Sequence, residues 1–293
     1  MEADPTAIST VLVCGAGLMG HGIAQVCAVA GRRVFLYEPD RARAEAGRAR
    51  VADNLERAVA KGRMAAEERA AALARITVAD SLGAAAAQSE LVVEAVWEDE
   101  GVKRALFSEL DGRAAEHTIF ASNTSSIPIT RLATACRPAR RARFAGMHFF
   151  SPVPVMPLVE LIRGVETSDE TAETIRALSG TLGKQVIVSR DRPGFIVNRM
   201  LMPFLAEAMR SYEEGVGSAE DIDAGARVGL GHPMGPLELA DFVGLDVCLH
   251  VMGVLHEGFG AQHFVPPPIL RQLVDAGHLG QKTGRGFYTY PRE

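Results

Sequence analysis

Residues 11–22 read VLVCGAGLMGHG, and the fold turns on how they are read. An apolar run ends on a glycine-rich turn, and the residues from Leu18 onward continue as a helical pattern, GIAQVCAVAG at 22–31. Gly15, Gly17 and Gly20 stand at GxGxxG spacing. In a dinucleotide site the first permits a tight turn, and the second lets backbone N–H groups approach a pyrophosphate at the helix N-terminus. The third lets the helix sit close against the strand. A glycine triplet also arises at turns for steric reasons alone, so its surroundings must decide. The next apolar run, RRVFLYEPD at 32–40, carries Glu38, 18 residues after Gly20. A carboxylate there binds the adenosine ribose hydroxyls and repels a 2′-phosphate, which favours NAD over NADP. Gly15, Gly17, Leu18, Met19, Gly20 and Glu38 are therefore the first candidates for cofactor binding. Arg32, Arg33 and Arg41 lie nearby, but the first two precede the strand and are expected to face solvent.

The same rhythm of short apolar run and longer helical pattern repeats outward. ISTVLVCG, RRVFLYE, ELVVEAV, HTIFAS, RFAGMHFF, MPLVELI and QVIVS read as strands of a mostly parallel sheet covered by helices. Residues 41–74, with Val51, Leu55 and Val59 at steps of four, read as one or two exposed helices. After SRDRPG at 189–194 the strand pattern stops and helical patterns take over: 195–215, then 218–230 with Ser218 and Asp221 spaced as a capping pair, then a long apolar helix from Pro236. The expectation is an α/β, Rossmann-type doubly wound sheet over 1–190 and an all-α domain over 191–293. The helical part carries more apolar surface than about 100 residues bury alone, which points to packing against a second copy.

With 293 residues, 47% hydrophobic content and a mean hydropathy of +0.08, the chain can bury a sizeable core. A formal charge of −5 and a pI near 5.9 give no global reason to expect nucleic acid or an anionic membrane as partner. The four cysteines show no CxxC spacing, so neither a disulfide framework nor a metal site is indicated, and reduced thiols suit a cytoplasmic protein. MEADPTAIST lacks the basic-then-apolar order of a signal peptide, and no run of 18 apolar residues suggests a membrane span.

The second informative stretch is GMHFFSPVPVMPLVELI, residues 146–162, in which His148 and Glu160 flank a proline-rich connection. A carboxylate behind an imidazole fixes its tautomer and makes it a better proton acceptor. Alone, the pair fits that arrangement or a core histidine at a strand end beside a solvated glutamate.

Together with SNTSS (122–126), RPGFIVNR (192–199), HPMGPLELADFVGLD (232–246) and KTGRGFY (282–288), these segments resemble the L-3-hydroxyacyl-CoA dehydrogenase family, and within it the short-chain 3-hydroxybutyryl-CoA dehydrogenases. The resemblance covers nearly the whole chain in the family's order. It implies a cofactor domain, a helical dimerisation domain, and NAD-dependent interconversion of a 3-hydroxyacyl-CoA and its 3-keto form. His148 then takes the proton of the 3-hydroxyl as hydride leaves C3, and Glu160 holds the histidine. Ser125 bonds the substrate oxygen, and Asn198 contacts substrate from the helical domain. Read alone, the serine fits a turn and the asparagine a helix cap. By the same resemblance Glu98, Lys103, Asn123 and Lys282 contact the nicotinamide side; otherwise they would read as ordinary charged or polar residues facing water. Arg50, Asn54, Arg57 and Lys61 share one helical face, and Asn54 and Lys61 match positions that touch coenzyme A. The chain departs from the family at Ser151, where most members have asparagine; a serine reaches less far toward the nicotinamide.

Three other readings stand beside this one. The acyl group is carried on an acyl carrier protein; the scaffold serves, as in a lens crystallin, without turnover; or the chain is a β-hydroxyacid dehydrogenase. The last uses a GxxGxGxxxK segment that is missing here, and the crystallin reading conflicts with the retention of His148, Glu160, Ser125 and Asn198 together. Acyl chain length and direction of reaction depend on pocket volume and metabolite levels, which sequence does not carry.

Overall fold

Thr10–Cys14 forms strand β1, buried along its whole length, as a strand covered on both faces must be. A computed structural model of the chain describes residues 8–291; residues 1–7, where the absence of a signal peptide was read, lie outside the described residues, as do 292 and 293. From β1 the chain alternates as the apolar runs predict: α1 (Leu18–Val29), β2 (Arg33–Tyr37), α2 (Arg41–Ala60), α3 (Ala66–Ala74), β3 (Ile76–Val78), α4 (Leu82–Ala87), β4 (Leu91–Glu94), α5 (Glu100–Asp111) and β5 (Ile119–Ser122). There follow α6 (Ile129–Ala133), α7 (Pro138–Arg141), β6 (Phe144–Phe149), β7 (Leu158–Arg163), α8 (Asp169–Thr181) and β8 (Gln185–Arg190).

The strands make one eight-stranded sheet in the order β3-β2-β1-β4-β5-β6-β7-β8. All neighbours are parallel except β6 and β7, the antiparallel pair joined by the proline-rich connection. The order reverses between β1 and β4, which opens a crevice at the carboxyl ends of the strands, where such sheets bind ligands. Seven of the strands were read from the sequence; β3 was not. Its three residues, ITV, pair with β2 at the sheet edge, and so short a run after an alanine-rich helix carries almost no period-2 signal.

Local chemistry fixes the element boundaries. Asp40 accepts the N–H groups of Ala42 and Arg43 at the start of α2, Asp99 accepts that of Val102 in α5, and Ser168 that of Thr171 in α8. Ala44, Gly47, Val51 and Leu55 are the buried stripe of α2; Arg41, Arg43, Arg50 and Arg57 are exposed, and half-buried Arg48 donates to the Ile76 carbonyl.

The chain divides into two compact units between Arg192 and Pro193. The second unit comprises α9 (Val197–Glu213), α10 (Ala219–Ala224), α11 (Pro236–Val243), α12 (Leu245–Phe259) and α13 (Pro268–Asp275), around a core that includes Leu205, Met209, Leu237, Leu245, Leu255 and Leu270. Ser218 caps α10 through the N–H of Asp221, as its spacing suggests. The apolar stretch from Pro236 is not one helix: Gly244, at φ 102°, breaks it and turns α12 by 97° from α11. Two buried aspartates then tie down the C-terminal segment. Asp241 accepts the N–H groups of Phe287 and Tyr288 and the Tyr290 hydroxyl, and Asp223 accepts the Tyr288 hydroxyl and the N–H groups of Leu237 and Glu238. Among the described residues, no single helix is long and apolar enough to cross a membrane. The four cysteines are buried free thiols, and burial pushes Cys27 and Cys248 up to about 12.

Candidate active site

The turn after β1 has the shape its glycines predict. Gly15 sits at φ 101°, in the left-handed region, and a Cβ there would strike the backbone of Ala95 in the loop after β4. A Cβ on Gly20 would collide with the Gly15 carbonyl, so α1 closes on the turn only because both residues are glycine. Above Gly17 there is open space, and the first turn of α1, with Leu18 exposed and Met19 half-buried, carries no acidic residue to neutralise the positive end of the helix. Glu38, at the end of β2, accepts the Ala16 N–H at 3.2 Å, which fixes its carboxylate beside the turn. An open cradle of backbone N–H groups next to a fixed carboxylate fits the pyrophosphate and adenosine ribose of NAD.

On the other side of the crevice, the antiparallel register puts His148 directly opposite Glu160. His148 Nδ1 lies 2.8 Å from Glu160 Oε2, and the glutamate is 0% exposed. A carboxylate accepts only, so the proton sits on Nδ1 and the lone pair on Nε2, the tautomer a base requires.

The loop after β5 is held by acid groups from β4 and the segment beyond it. Glu98 Oε1 accepts the Thr124 hydroxyl at 2.6 Å, the Ser125 N–H at 2.9 Å and the Ser126 hydroxyl at 2.9 Å, and the Ser125 hydroxyl stands 3.3 Å away. Its Oε2 is 3.2 Å from the Lys103 ammonium, which also donates to Glu94 at 2.5 Å. Glu94 in turn accepts from Ser122 Oγ at 2.6 Å and from the Val96 N–H at 2.8 Å. Lys103, expected as a cofactor contact, is buried and committed to these two carboxylates, so Glu98 and not Lys103 faces the Ser125 loop. Glu94 and Ser122 escaped the sequence reading. The one signal was Glu94, which interrupts the apolar residues of ELVVEAV after Val93, where a strand buried on both faces tolerates a charge only if it is paired.

Burial alone would raise the Glu98 carboxyl, but Lys103 and the bonds from Thr124, Ser126 and Ser125 outweigh it and hold the group below the usual carboxylate range. A depressed folded value stabilises the fold above the unfolded value of about 4.3 and loses that contribution as pH falls through the folded value. Urea midpoints of the wild type and Glu98→Gln should therefore differ by a constant amount above about pH 5.5 and converge in acid. A difference independent of pH down to the acid transition would rule this out.

Among the remaining sequence-predicted residues, Asn123 Oδ1 accepts the Phe149 N–H at 2.9 Å, which ties the Ser125 loop to the residue after His148. Ser151 is exposed in the connection after β6, which Lys184 clamps by donating to Val153 O and Met156 O. Asn54 and Lys61 line a cleft of about 670 Å³ with Arg57, Arg63 and Lys184; Asn54 donates to Gln25 and accepts from Arg57. Arg50, on the same helical face, is exposed outside the residues that line it. Asn198 and Lys282 belong to the second unit, Asn198 in the first turn of α9 and Lys282 on the surface, paired with Asp246 at 2.5 Å.

Comparison with known proteins places the chain in a family. Residues 10–192 match the family model of the 3-hydroxyacyl-CoA dehydrogenase NAD-binding domain, and 194–290 match that of the C-terminal domain. The chain is 50% identical over 283 residues to a 3-hydroxybutyryl-CoA dehydrogenase of Bradyrhizobium diazoefficiens, covering 97% of this chain and 96% of the relative. To the human mitochondrial hydroxyacyl-coenzyme A dehydrogenase it is 45% identical, covering 99% of this chain and 93% of that one. The crystal structure of (S)-3-hydroxybutyryl-CoA dehydrogenase PaaH1 from Ralstonia eutropha superposes with a TM-score of 0.94 at 46% identity, over 98% of this chain and 100% of that one.

Proposed function

The chain belongs to the 3-hydroxyacyl-CoA dehydrogenase family, and from that premise we propose how its own residues carry the reaction. It is an NAD-dependent oxidoreductase of the CH–OH group, interconverting a short-chain 3-hydroxyacyl-CoA such as 3-hydroxybutyryl-CoA and the 3-ketoacyl-CoA. The observation that carries the mechanism is the buried His148–Glu160 pair at the carboxyl end of β6, in the same sheet as the glycine turn. The bound nicotinamide supplies the hydride acceptor for C3 of the substrate.

The residues divide the remaining work. His148 Nε2 takes the proton of the 3-hydroxyl, and in reduction the imidazolium returns it to the ketone oxygen. Glu160 holds the ring through Nδ1 and offsets the positive charge that develops on it. The Ser125 hydroxyl, in a loop fixed by Glu98, donates to the substrate oxygen as charge grows there. Asn198 contacts the thioester substrate from the helical unit. Gly15, Gly17, Leu18, Met19 and Gly20 receive the pyrophosphate, Glu38 the adenosine ribose, and Asn123, Glu98, Ser151 and Lys282 the nicotinamide side, with Lys103 acting through Glu98. The cleft at Asn54 and Lys61, with Arg57 beside them, offers cations and donors to the phosphates of coenzyme A, and equally to the phosphate of a carrier-bound arm.

The test is loss of NADH absorbance with acetoacetyl-CoA, run beside NADPH and beside the carrier-protein thioester. NADH-dependent turnover with the CoA ester is expected. A folded protein that binds NADH but reduces neither ester would refute the reading. Two substitutions refine it. Glu38→Ser should raise the kcat/KM ratio for NADPH over NADH by about tenfold or more, because a fixed carboxylate no longer meets the 2′-phosphate. An unchanged ratio removes Glu38 from the cofactor site. Ser151→Asn should lower KM for NADH, because the longer amide spans a gap that serine bridges through water. An unchanged KM removes the argument for that position.

The assembly is a homodimer through the helical unit, and the setting is cytoplasmic. Exposed Met200, Val228, Leu230, Phe242 and Val247 on that unit support self-association, and four buried free thiols suit a reducing compartment. Light scattering that returned a monomer at micromolar concentration would overturn the dimer.

A further inference from the structure

The chain's single tryptophan, Trp97, is 81% exposed on a loop with little freedom to move. On one side Val96 N–H donates to buried Glu94, and the Ala95 and Val96 backbone abuts Gly15 so closely that a Cβ there would not fit. On the other, Glu98 is bonded into the Ser125 loop, and Asp99 donates its N–H to Trp97 O while its side chain caps α5. A rigid loop that holds out an indole gives up a large apolar burial, which calls for something to cover it.

The sheet order says what that is, given the dinucleotide reading of the glycine turn, on which this inference rests. Glu38 follows β2, Gly17 follows β1, Ser125 follows β5 and His148 lies in β6, with β4 between β1 and β5. A dinucleotide with its adenosine ribose at Glu38 and its pyrophosphate over Gly17 must cross the end of β4 to bring its reacting ring toward His148. We propose that Trp97, on the loop that follows β4, covers the nicotinamide riboside half of NAD and sets the affinity of the chain for that half.

As the one tryptophan of the chain, Trp97 reports on its own cover when the indole is excited selectively over the four tyrosines. Indole emission of the full-length protein is followed against acrylamide, alone, with saturating oxidised NAD, and with saturating ADP, which lacks the nicotinamide riboside. Binding of each is measured by calorimetry in the same samples. NAD should lower the quenching constant by about twofold or more, as cover by an aromatic ring and its ribose requires, and ADP should leave it near the free value. In parallel, Trp97→Ala should weaken NAD about tenfold while leaving ADP affinity unchanged, and Trp97→Phe should recover most of the loss.

The proposal is overturned if bound NAD leaves the quenching constant unchanged, if ADP protects as well as NAD, or if Trp97→Ala binds NAD as the wild type does. Absence of any NAD binding by the folded wild type would instead overturn the dinucleotide reading, and this proposal with it.

Discussion

Replacing His148 with alanine should lower kcat for acetoacetyl-CoA reduction by about 10²- to 10⁴-fold, the range a positioned general acid–base contributes. KM for NADH should barely move, because the glycine turn and Glu38, proposed above to hold the adenosine half, follow strands β1 and β2, away from β6. Alanine also strips Glu160 of a partner in a place with no solvent, which costs about 1–3 kcal/mol of stability on its own. His148→Gln separates the two effects. Its amide can donate to Glu160 but cannot take a proton, so it should fold like the wild type and remain nearly inactive. A glutamine variant with more than about a tenth of wild-type kcat would remove the base from His148. Glu160→Gln probes the same pair from behind: an amide can present its N–H to Nδ1 and favour the other tautomer, which places the lone pair on the wrong nitrogen.

Much of this was written in the sequence because the physics is local there. Glycine spacing, the carboxylate at the end of β2, and apolar runs of strand length each report on a few adjacent residues, and each appears in the structure where it was read. From the residues alone the pairing of His148 with Glu160 is legible only as a spacing, and the family resemblance supplies the contact. The antiparallel register turns twelve residues of separation into a 2.8 Å contact. What was not legible depends on distant parts of the chain. β3 exists because β2 offers it an edge, and the helix from Pro236 breaks because Gly244 adopts φ 102° there, although glycine is tolerated within helices elsewhere. Apart from the family resemblance, which makes it a nicotinamide-side contact, Lys103 reads as an ordinary surface charge, because a lysine in a helix is exposed by default. Its burial follows from two carboxylates on the other side of the crevice wall, Glu94 on β4 and Glu98 in the following loop.

That buried ammonium is where the largest loss of stability should be found. Lys103 and Glu94 are 1% and 0% exposed at the side chain, and Lys103 is the counter-charge that Glu94 and Glu98 share. Lys103→Met keeps the apolar stem and removes the charge. Glu94 is then left with the Ser122 hydroxyl and the Val96 N–H, with a second carboxylate nearby. Breaking a buried pair in this way costs about 3–5 kcal/mol at neutral pH, or roughly 6–20 °C in Tm for a unit of this size. Burial already pushes the Glu94 carboxyl above its ordinary value against the pull of Lys103, and without the ammonium it should rise further. A carboxyl whose folded value is raised destabilises the fold above its unfolded value of about 4.3, and the penalty disappears as pH falls through the folded value and the group takes a proton. The deficit of Lys103→Met should therefore shrink between pH 7 and pH 5, and adding Glu94→Gln should restore much of it at pH 7, a coupling that a double-mutant cycle in urea measures. A single variant as stable as the wild type, or a deficit that neither acid nor Glu94→Gln relieves, would mean that the three charges do not act as a unit. In that event the Ser125 loop would owe its position to its own hydrogen bonds to Glu98 and to the tie between Asn123 and Phe149.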